Sequence, residues 1–583
     1  MNIVARQEGI RRQTLKGAMI AVLVVLSPVF GWAGSRKIDC NIDTTKSTPA
    51  DVIVMYNDGP SNQHVTKAVN RGAAIHRHLY SVKGTAMSMA ANQIEKLLAD
   101  DPNIAFVAPD RPVHTSWESF TPNFVAVNAD MAQSAGYDGS GVVVAVLDSG
   151  IDYTHPDLAD RVVYSQDFTG TGQGPQDYYG HGTHVAGIIA GNAAESTCWN
   201  CTAKYMGIAP GVQLVNLKVL DHTGSGKDSN VIAAIDQAIS WYQQNPRTQM
   251  VMNLSLGRGV YTSYKNDPLD QAVEAAWKAG IVVVVAAGNY GRDNSVGEHG
   301  YGTITVPGND PYVITVGAMN TLGTMSSADD VPASYSSKGP TMLDHVVKPD
   351  LVAPGNLIVS TLGSQANLDT PLTQIPKSAY ISRGGSAASP YYFTLSGTSM
   401  AAPVVSAAAA MLLQQNDNLT PDQIKARLMK TADKNLVQYA TATDPTTGAT
   451  YSLQADIFTV GAGYLDINAA LNNNDRASSA TGVAMSPTVT YSTNSKGVTT
   501  VSLVTGSSVL WGSSVLWGSS VVWGSNVLVD GSSVLWGSSV LWGSSTTQGF
   551  SVLWGSSTNS LSVLWGSSNN QADAKSVLTR GDQ

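Results

Sequence analysis

Five nearly unbroken apolar, β-branched segments constrain this chain more than any other feature: Val142–Leu147, Val212–Val219, Met250–Leu254, Ile281–Ala286 and Tyr312–Val316. A strand with one wet face alternates polar and apolar residues. These do not alternate, so both of their faces must be covered. The intervening segments read as helices. Asn230–Gln243 is one, and Pro268–Ala279 is another, with Asp267 as N-cap, Pro268 in the first turn and Gly280 as the stop. Thr420-Pro421 opens a further helix with the same cap grammar. Covered strands alternating with helices predict an α/β fold, a parallel sheet sandwiched by helices, over residues 120–475. Sites in such sheets form at the carboxyl ends of the strands.

Three polar groups fall where such a site forms. Asp148 ends the first strand in Asp-Ser-Gly, His181 opens a helix in His-Gly-Thr-His-Val-Ala-Gly, and Ser399 opens another in Gly-Thr-Ser-Met-Ala-Ala-Pro. Taken singly, each has an ordinary explanation: an Asp after a strand forms turns, a His at a helix start partners a cap, and a Ser there is an N-cap. Together they hold the parts of nucleophilic catalysis. A serine hydroxyl is a poor nucleophile near neutral pH and needs a base, and the base needs a fixed tautomer.

The wording of four blocks, Asp148-Ser-Gly-Ile-Asp, His181-Gly-Thr-His-Val-Ala-Gly, Ala286-Ala-Gly-Asn289 and Gly397-Thr-Ser399-Met-Ala-Ala-Pro403, resembles the subtilisin-like serine proteases, the subtilases of peptidase family S8. Their order along the chain, Asp then His then Ser, is also the family's. The resemblance implies a secreted serine endopeptidase with Ser399 as nucleophile, His181 as general base and then acid, and Asp148 as the carboxylate orienting the imidazole. Asn289 would be the side-chain oxyanion donor, joined by the backbone N–H of Ser399, and no cofactor is required. His184 is expected as a core or supporting residue. Gly182, Gly397 and Ala401 are expected to let the substrate backbone approach. Gly224, Ser225 and Gly226, with Ser255, Leu256 and Gly257, resemble the two segments between which the family lays a peptide as an added strand. Ser255–Gly257 and Ala286, Ala287 and Gly288 are expected to wall the specificity pocket, with Thr305–Gly308 near its floor. None of these is charged, so an apolar or aromatic side chain before the cut bond is expected, and Asp228 lies near one rim.

Ahead of this region, the basic residues Arg6, Arg11, Arg12 and Lys16, the apolar run Met19–Phe30 and then Gly31-Trp32-Ala33 read as a secretory signal over residues 1–33. Arg11-Arg12-Gln13-Thr14-Leu15-Lys16 resembles a twin-arginine signal, and chance pairing of arginines explains it equally. Residues 50–115 read as strand, helix, strand, helix, strand: Val52–Tyr56, Val65–Gly72, His78–Val82, Ala90–Asp100 and Ile104–Pro109. Their His and Asp positions form no spaced constellation. The resemblance implies a small α+β, ferredoxin-like inhibitory pro-domain, with Val52-Ile-Val-Met-Tyr56 and Asp101–Asp110 carrying it, released by a cut between His114 and Asn123.

Two departures from the family's pattern follow. Residues 191–205 replace the short loop that binds calcium in many members. Asp157 remains as one family-type ligand without its expected partners, so structural Ca2+ is not supported at that loop, and no metal site is predicted. Cys198 and Cys201, in Cys-Trp-Asn-Cys, are expected as a local disulfide in an exported protein. Residues 363–392, polar and Gly/Ser-rich, read as a surface loop.

Residues 476–506 are Ser/Thr-rich and read as a linker, and residues 507–568 form a repeat tail. There the unit Ser-Ser-Val-Leu-Trp-Gly recurs, placing Trp at 511, 517, 523, 536, 542, 554 and 565, with a step of six inside the runs 511–523 and 536–542. An even period keeps the rings of each such run on one side of an extended strand. With Asp530 as the only charge between Ser507 and Gln571, the tail is expected to stack or self-associate and to anchor the protein at a surface. The competing readings are a disordered or removed tail, and a cell-surface or matrix protein in which the tail is the main functional element. The expected partners are protein or peptide substrates and the pro-domain. A net charge of −9 with no basic block argues against nucleic acid.

Overall fold

The computed structural model describes residues 37–38, 42–79, 83–109, 122–294, 299–493 and 499–503, the short repeat segments 527–528, 534–536, 540–542 and 563–564, and the terminal residues 577–582. The signal segment, Cys40, the tryptophan alignment of the repeats and most of the expected maturation region lie outside the described residues. The chain divides into two compact units, Met1–Thr115 and Ser116–Gln583.

The first unit runs β1 (Pro49–Tyr56), α1 (Asn62–Asn70), β2 (Ala74–Leu79), β3 (Gly84–Ala90), α2 (Ile94–Asp100) and β4 (Ile104–Pro109). They form an antiparallel sheet in the order β2-β3-β1-β4. Strand β3 is the element that the sequence pattern does not announce. Its Gly, Ala and Met residues are weak strand formers, yet Met87 and Met89 alternate into the core beside Val52, Val54, Ile94 and Leu97. Ala90, expected to start a helix, ends this strand instead. A polar cluster is also present where none was expected: His64 Nδ1 lies 2.5 Å from Asp101, and the ring stacks on Tyr56.

In the second unit, α3 (Pro122–Val125) and α4 (Ala129–Ser134) precede β5 (Val142–Asp148), β6 (Val162–Asp167), α5 (His181–Ala190), β7 (Gln213–Lys218), β8 (Ser225–Gly226), α6 (Asp228–Gln244), β9 (Gln249–Leu254), α7 (Pro268–Lys278), β10 (Val282–Ala286) and β11 (Ile314–Asn320). Then follow β12 (Val331–Pro332), β13 (Leu351–Pro354), β14 (Ile358–Thr361), β15 (Gln374–Pro376), β16 (Ala388–Leu395), α8 (Thr398–Gln415), α9 (Pro421–Thr431), β17 (Tyr439–Thr443), β18 (Thr450–Gln454), α10 (Ile457–Val460) and α11 (Ile467–Asn472). The main sheet has the order β12-β11-β10-β9-β5-β7-β6, with β13 also on β11, and only β12 runs antiparallel. Strands β5, β10 and β11 are buried along their whole length, as their unbroken apolar sequence requires. Helix α8 packs on β9, β10 and β11, and its Ala-rich stretch Ala407–Ala410 permits that close approach. The cap grammar holds in detail: Asp267 accepts from the Leu269 N–H, and Thr420 with Gln423 forms a reciprocal capping box.

Two segments expected as surface loop and linker pack instead. Residues 363–392 carry β15 and the start of β16, which with β14 make a three-stranded sheet. Tyr380 and Tyr392, within that segment, are buried edge-to-face against each other, and Tyr205 of the other insertion meets Tyr392 edge-on and Tyr380 at a tilt. Thr202 N–H donates to the Tyr380 carbonyl and Ser382 N–H to that of Asn200. The two insertions therefore form one structure, tipped by the Cys198–Cys201 disulfide. Within the expected linker, Ala477, Ala484 and Val489 join the main core, and Ser486 bonds Asp350 and Lys425. Strands β19 (Val489–Thr493) and β20 (Thr499–Leu503) follow as a hairpin.

The described repeat segments pair in three ways. β21 (Val527–Leu528) adds to β20, β22 (Val534–Trp536) and β23 (Val540–Trp542) form a hairpin, and β24 (Val563–Leu564) lies antiparallel to β8. Among the described residues no helix is long and apolar enough to cross a membrane.

Candidate active site

The carboxyl end of β5 delivers Asp148 and the first turn of α5 delivers His181; both side chains are fully buried. His181 Nδ1 lies 2.8 Å from Asp148 Oδ1 and 3.0 Å from Oδ2. An ionised carboxylate only accepts, so the Nδ1 position carries the proton and Nε2 keeps the lone pair. The Ser149 N–H also donates to Asp148, at 2.7 Å.

Gly182 makes this pairing possible, although not by the route expected from the sequence. A Cβ there would lie 2.1 Å from the Gly150 carbonyl oxygen and 3.1 Å from Asp148 Cβ. The missing side chain therefore lets α5 dock on the Asp148 turn, rather than admitting substrate. Asp177, absent from the expected set, sets the start of α5. Its carboxylate accepts from the N–H groups of Tyr179, Gly180 and Thr183 and from the hydroxyls of Ser149 and Thr183. Burial pushes the Asp177 carboxyl above the ordinary range. The signal in the sequence is an Asp shortly before the helix opening at Gly180-His181, which is a capping pattern. His184 belongs to the core: Nε2 lies 2.9 Å from the Ile358 carbonyl and the ring meets Phe393 edge-on. Burial pushes its pKa down to about 3, so it stays neutral.

Ser399 stands at the start of α8, its Oγ 3.3 Å from the Ser255 carbonyl oxygen to which it donates. Pro403 explains a second link. Lacking an N–H, it cannot bond the Ser399 carbonyl four residues earlier, and that carbonyl accepts from Ser255 Oγ at 2.8 Å instead. Ser255 Oγ in turn accepts from Asn253 Nδ2, whose Oδ1 accepts from Ser406. A buried polar chain thus joins the end of β9 to α8.

Asn289 follows β10. Its Oδ1 accepts from the Thr398 N–H at 2.9 Å and from the Thr398 hydroxyl at 3.1 Å, which leaves Nδ2 as its free-standing donor group. Thr398 also accepts from the Gly288 N–H, so it ties the Asn289 turn to the nucleophile's helix. Gly397, just before it, has φ +148, and this backbone conformation is its reason for being glycine.

Leu256, Gly257, Ala286, Gly288, Tyr290 and Thr305 wall a pocket that Asn289, Thr398 and Ser399 complete. A Cβ on Gly257 or Gly288 would lie 2.5 or 2.7 Å from the Thr305 side chain, so the threonine wedges between two obligatory glycines. No lining residue is charged. Ala287 and Ser255, expected here, are not on the wall. Ala287 is buried, its N–H donating to the Val316 carbonyl and its carbonyl accepting from the Thr305 N–H; these two bonds hold it off the wall, which Ala286 and Gly288 line on either side of it. Ser255 is buried in the polar chain. Tyr290 and Thr398 are additions to the expected set.

Gly224 has φ +76 and meets the Tyr179 ring, while Ser225 and Gly226 form the short strand β8. Asp228 is neutralised, because Arg258 bonds it and Asp267 together, with separations of 2.8–3.0 Å. At the altered calcium loop, Asp157 Oδ1 accepts from the Glu195 N–H and Oδ2 from the Tyr392 hydroxyl. Among the described residues no group of three or more His, Cys, Asp or Glu side chains is placed to hold a metal.

Residues 139–454 match the Subtilase family, Peptidase_S8, over more than half of the chain. The chain belongs to the subtilase family. Subtilisin E of Bacillus subtilis (strain 168) is 32% identical over 422 residues, covering 72% of this subtilase and 94% of subtilisin E. Serine protease AprX of the same organism is 44% identical over 299 residues, 51% of this chain and 62% of AprX. A solved structure titled as a cold adapted subtilisin-like serine proteinase shares 32% identity, covers 56% of this chain and 90% of its own, and has a TM-score of 0.37. Relatives of this subtilase carry the name serine protease, and the chain is a subtilisin-family serine protease that needs no catalytic cofactor.

Proposed function

We propose that this subtilase is a secreted endopeptidase, made as a zymogen that processes itself, and that it hydrolyses peptide bonds through an acyl-enzyme on Ser399. In this reading Ser399 Oγ attacks the scissile carbonyl while His181 Nε2 takes its proton. Asp148 holds the proton of Nδ1 and stabilises the imidazolium that forms. Asn289 Nδ2 and the Ser399 N–H receive the oxyanion. His181 then protonates the leaving amine, and the C–N bond breaks. Water, deprotonated by the same nitrogen, cleaves the ester and returns the proton to Ser399.

The observation that carries this reading is the fully buried Asp148–His181 contact at 2.8 Å. The locked orientation of Asn289 on Thr398 adds to it. The uncharged pocket favours an apolar or aromatic side chain before the cut bond. Gly224, Ser225, Gly226, Leu256 and Gly257 would bind the substrate backbone; the antiparallel addition of β24 to β8 supports that role for Ser225 and Gly226. The segment 1–33 directs export, and residues 50–115 are the inhibitory pro-domain.

Wild type and Ser399→Ala, purified as full chains, test the reading together. Intact mass should show amino-terminal maturation in the wild type alone, and hydrolysis of casein should be lost in the mutant. Equal processing and equal inertness would overturn it.

A further inference from the structure

The carboxyl-terminal residues 577–582, beyond the repeats, are seated in the second unit against a crevice unrelated to the pocket. Val577 and Leu578 are each 4% exposed and belong to the main core. The Leu578 carbonyl accepts from the Ser396 N–H at 2.8 Å. Gly581 has φ +60, and a Cβ on it would lie 2.2 Å from Asn356 Oδ1 and 2.5 Å from Ser396 Oγ. Only glycine meets both demands.

Asp582 completes the fit and is almost wholly buried. Its carboxylate accepts from the Ser334 N–H at 2.6 Å, the Ser334 hydroxyl at 2.5 Å and Arg292 at 2.8 Å. Its N–H donates to Asn356 Oδ1 at 2.7 Å, and its carbonyl accepts from Asn356 Nδ2 at 3.0 Å. Arg292 also donates to the Gly581 carbonyl at 3.3 Å. The receiving side is itself ordered. Arg292 bonds Ser334 through Nε, pairs with Asp444 and lies over the rings of Tyr335 and Tyr451. A buried carboxylate matched by a guanidinium, a hydroxyl and a backbone amide is a built recognition site, because leaving any of these groups unpaired is costly.

We propose that the crevice of Arg292, Ser334, Asn356 and Ser396 is a docking site for the chain's own terminal Arg580-Gly581-Asp582 segment, and that it holds the far end of the repeat tail to the catalytic unit. The tail is thereby closed into a loop fixed at both ends. A cut within the repeats leaves the end piece attached without a covalent bond.

The test uses the full chain carrying Ser399→Ala, to silence self-digestion, with a recognition sequence for a sequence-specific protease inserted after Gln548. After cleavage, size-exclusion chromatography with mass detection follows the released piece. It should co-elute with the catalytic unit. With Asp582→Ala added it should dissociate, its retention weakened by at least about 30-fold. This change touches only the terminus, and melting of the uncut chain verifies that the unit stays folded. Dissociation from the parent chain, or equal retention by the Asp582→Ala chain, would overturn the proposal.

Discussion

The nucleophile and the docked terminus lie on either side of one short turn. Gly397 N–H donates to Gly355, Leu357 N–H donates to Ser396 Oγ, and Asn356 between them holds Asp582. On the catalytic side, the determining residues sit inside short motifs at strand ends and helix starts: Asp148, His181, Asn289 and Ser399. On the docking side, they come from five separate segments, Arg292, Ser334, Asn356, Ser396 and Asp582, with no local pattern joining them. Chemistry that needs a strand end and a helix start leaves a spelling in the sequence, whereas a crevice assembled from distant loops leaves almost none.

Two substitutions sharpen this contrast. Asn289→Ala should lower turnover by about 10²- to 10³-fold, the size of effect known for loss of the equivalent donor in subtilisin itself. Steady-state kinetics on a peptide substrate measure it, and thermal melting reads separately the loss of the two Thr398 bonds that Asn289 Oδ1 accepts. A loss below tenfold would remove Asn289 from the oxyanion site. Gly182→Ala should have a smaller but different effect. A Cβ 2.1 Å from the Gly150 carbonyl forces α5 off the Asp148 turn, so stability should fall by about 1–3 kcal/mol, typical of overpacking. Thermal melting would show it, and hydrogen exchange should leave the protection of residues 577–582 unchanged. A loss of that protection would mean that the two sides of the turn are coupled, and the contrast would fail.

Much of the catalytic unit is legible in the sequence because its physics is local. Unbroken Val runs announce the buried parallel strands, and Asp267, Pro268 and Thr420 announce helix starts. What escapes a linear reading depends on distance. Asp177 caps α5 through a turn that looks like loop. Ser255, Asn253 and Ser406 meet only once β9 and α8 pack, and Pro403 acts by withholding a hydrogen bond. The two insertions look like polar loops separately, and their buried character follows from the contact of Tyr205 with Tyr380 and Tyr392. Ala287 reads as pocket wall because its neighbours belong there, and its backbone bonds to Val316 and Thr305 turn it inward.

The central claim, that Ser399 is the nucleophile activated by His181, is tested most directly by covalent labelling. The matured protein would be treated with a fluorophosphonate and analysed by intact mass and peptide mapping. A single adduct on Ser399, abolished by His181→Ala in chains shown to be folded, is the predicted result. An adduct on a different serine, or none on folded protein that hydrolyses casein, would contradict the account.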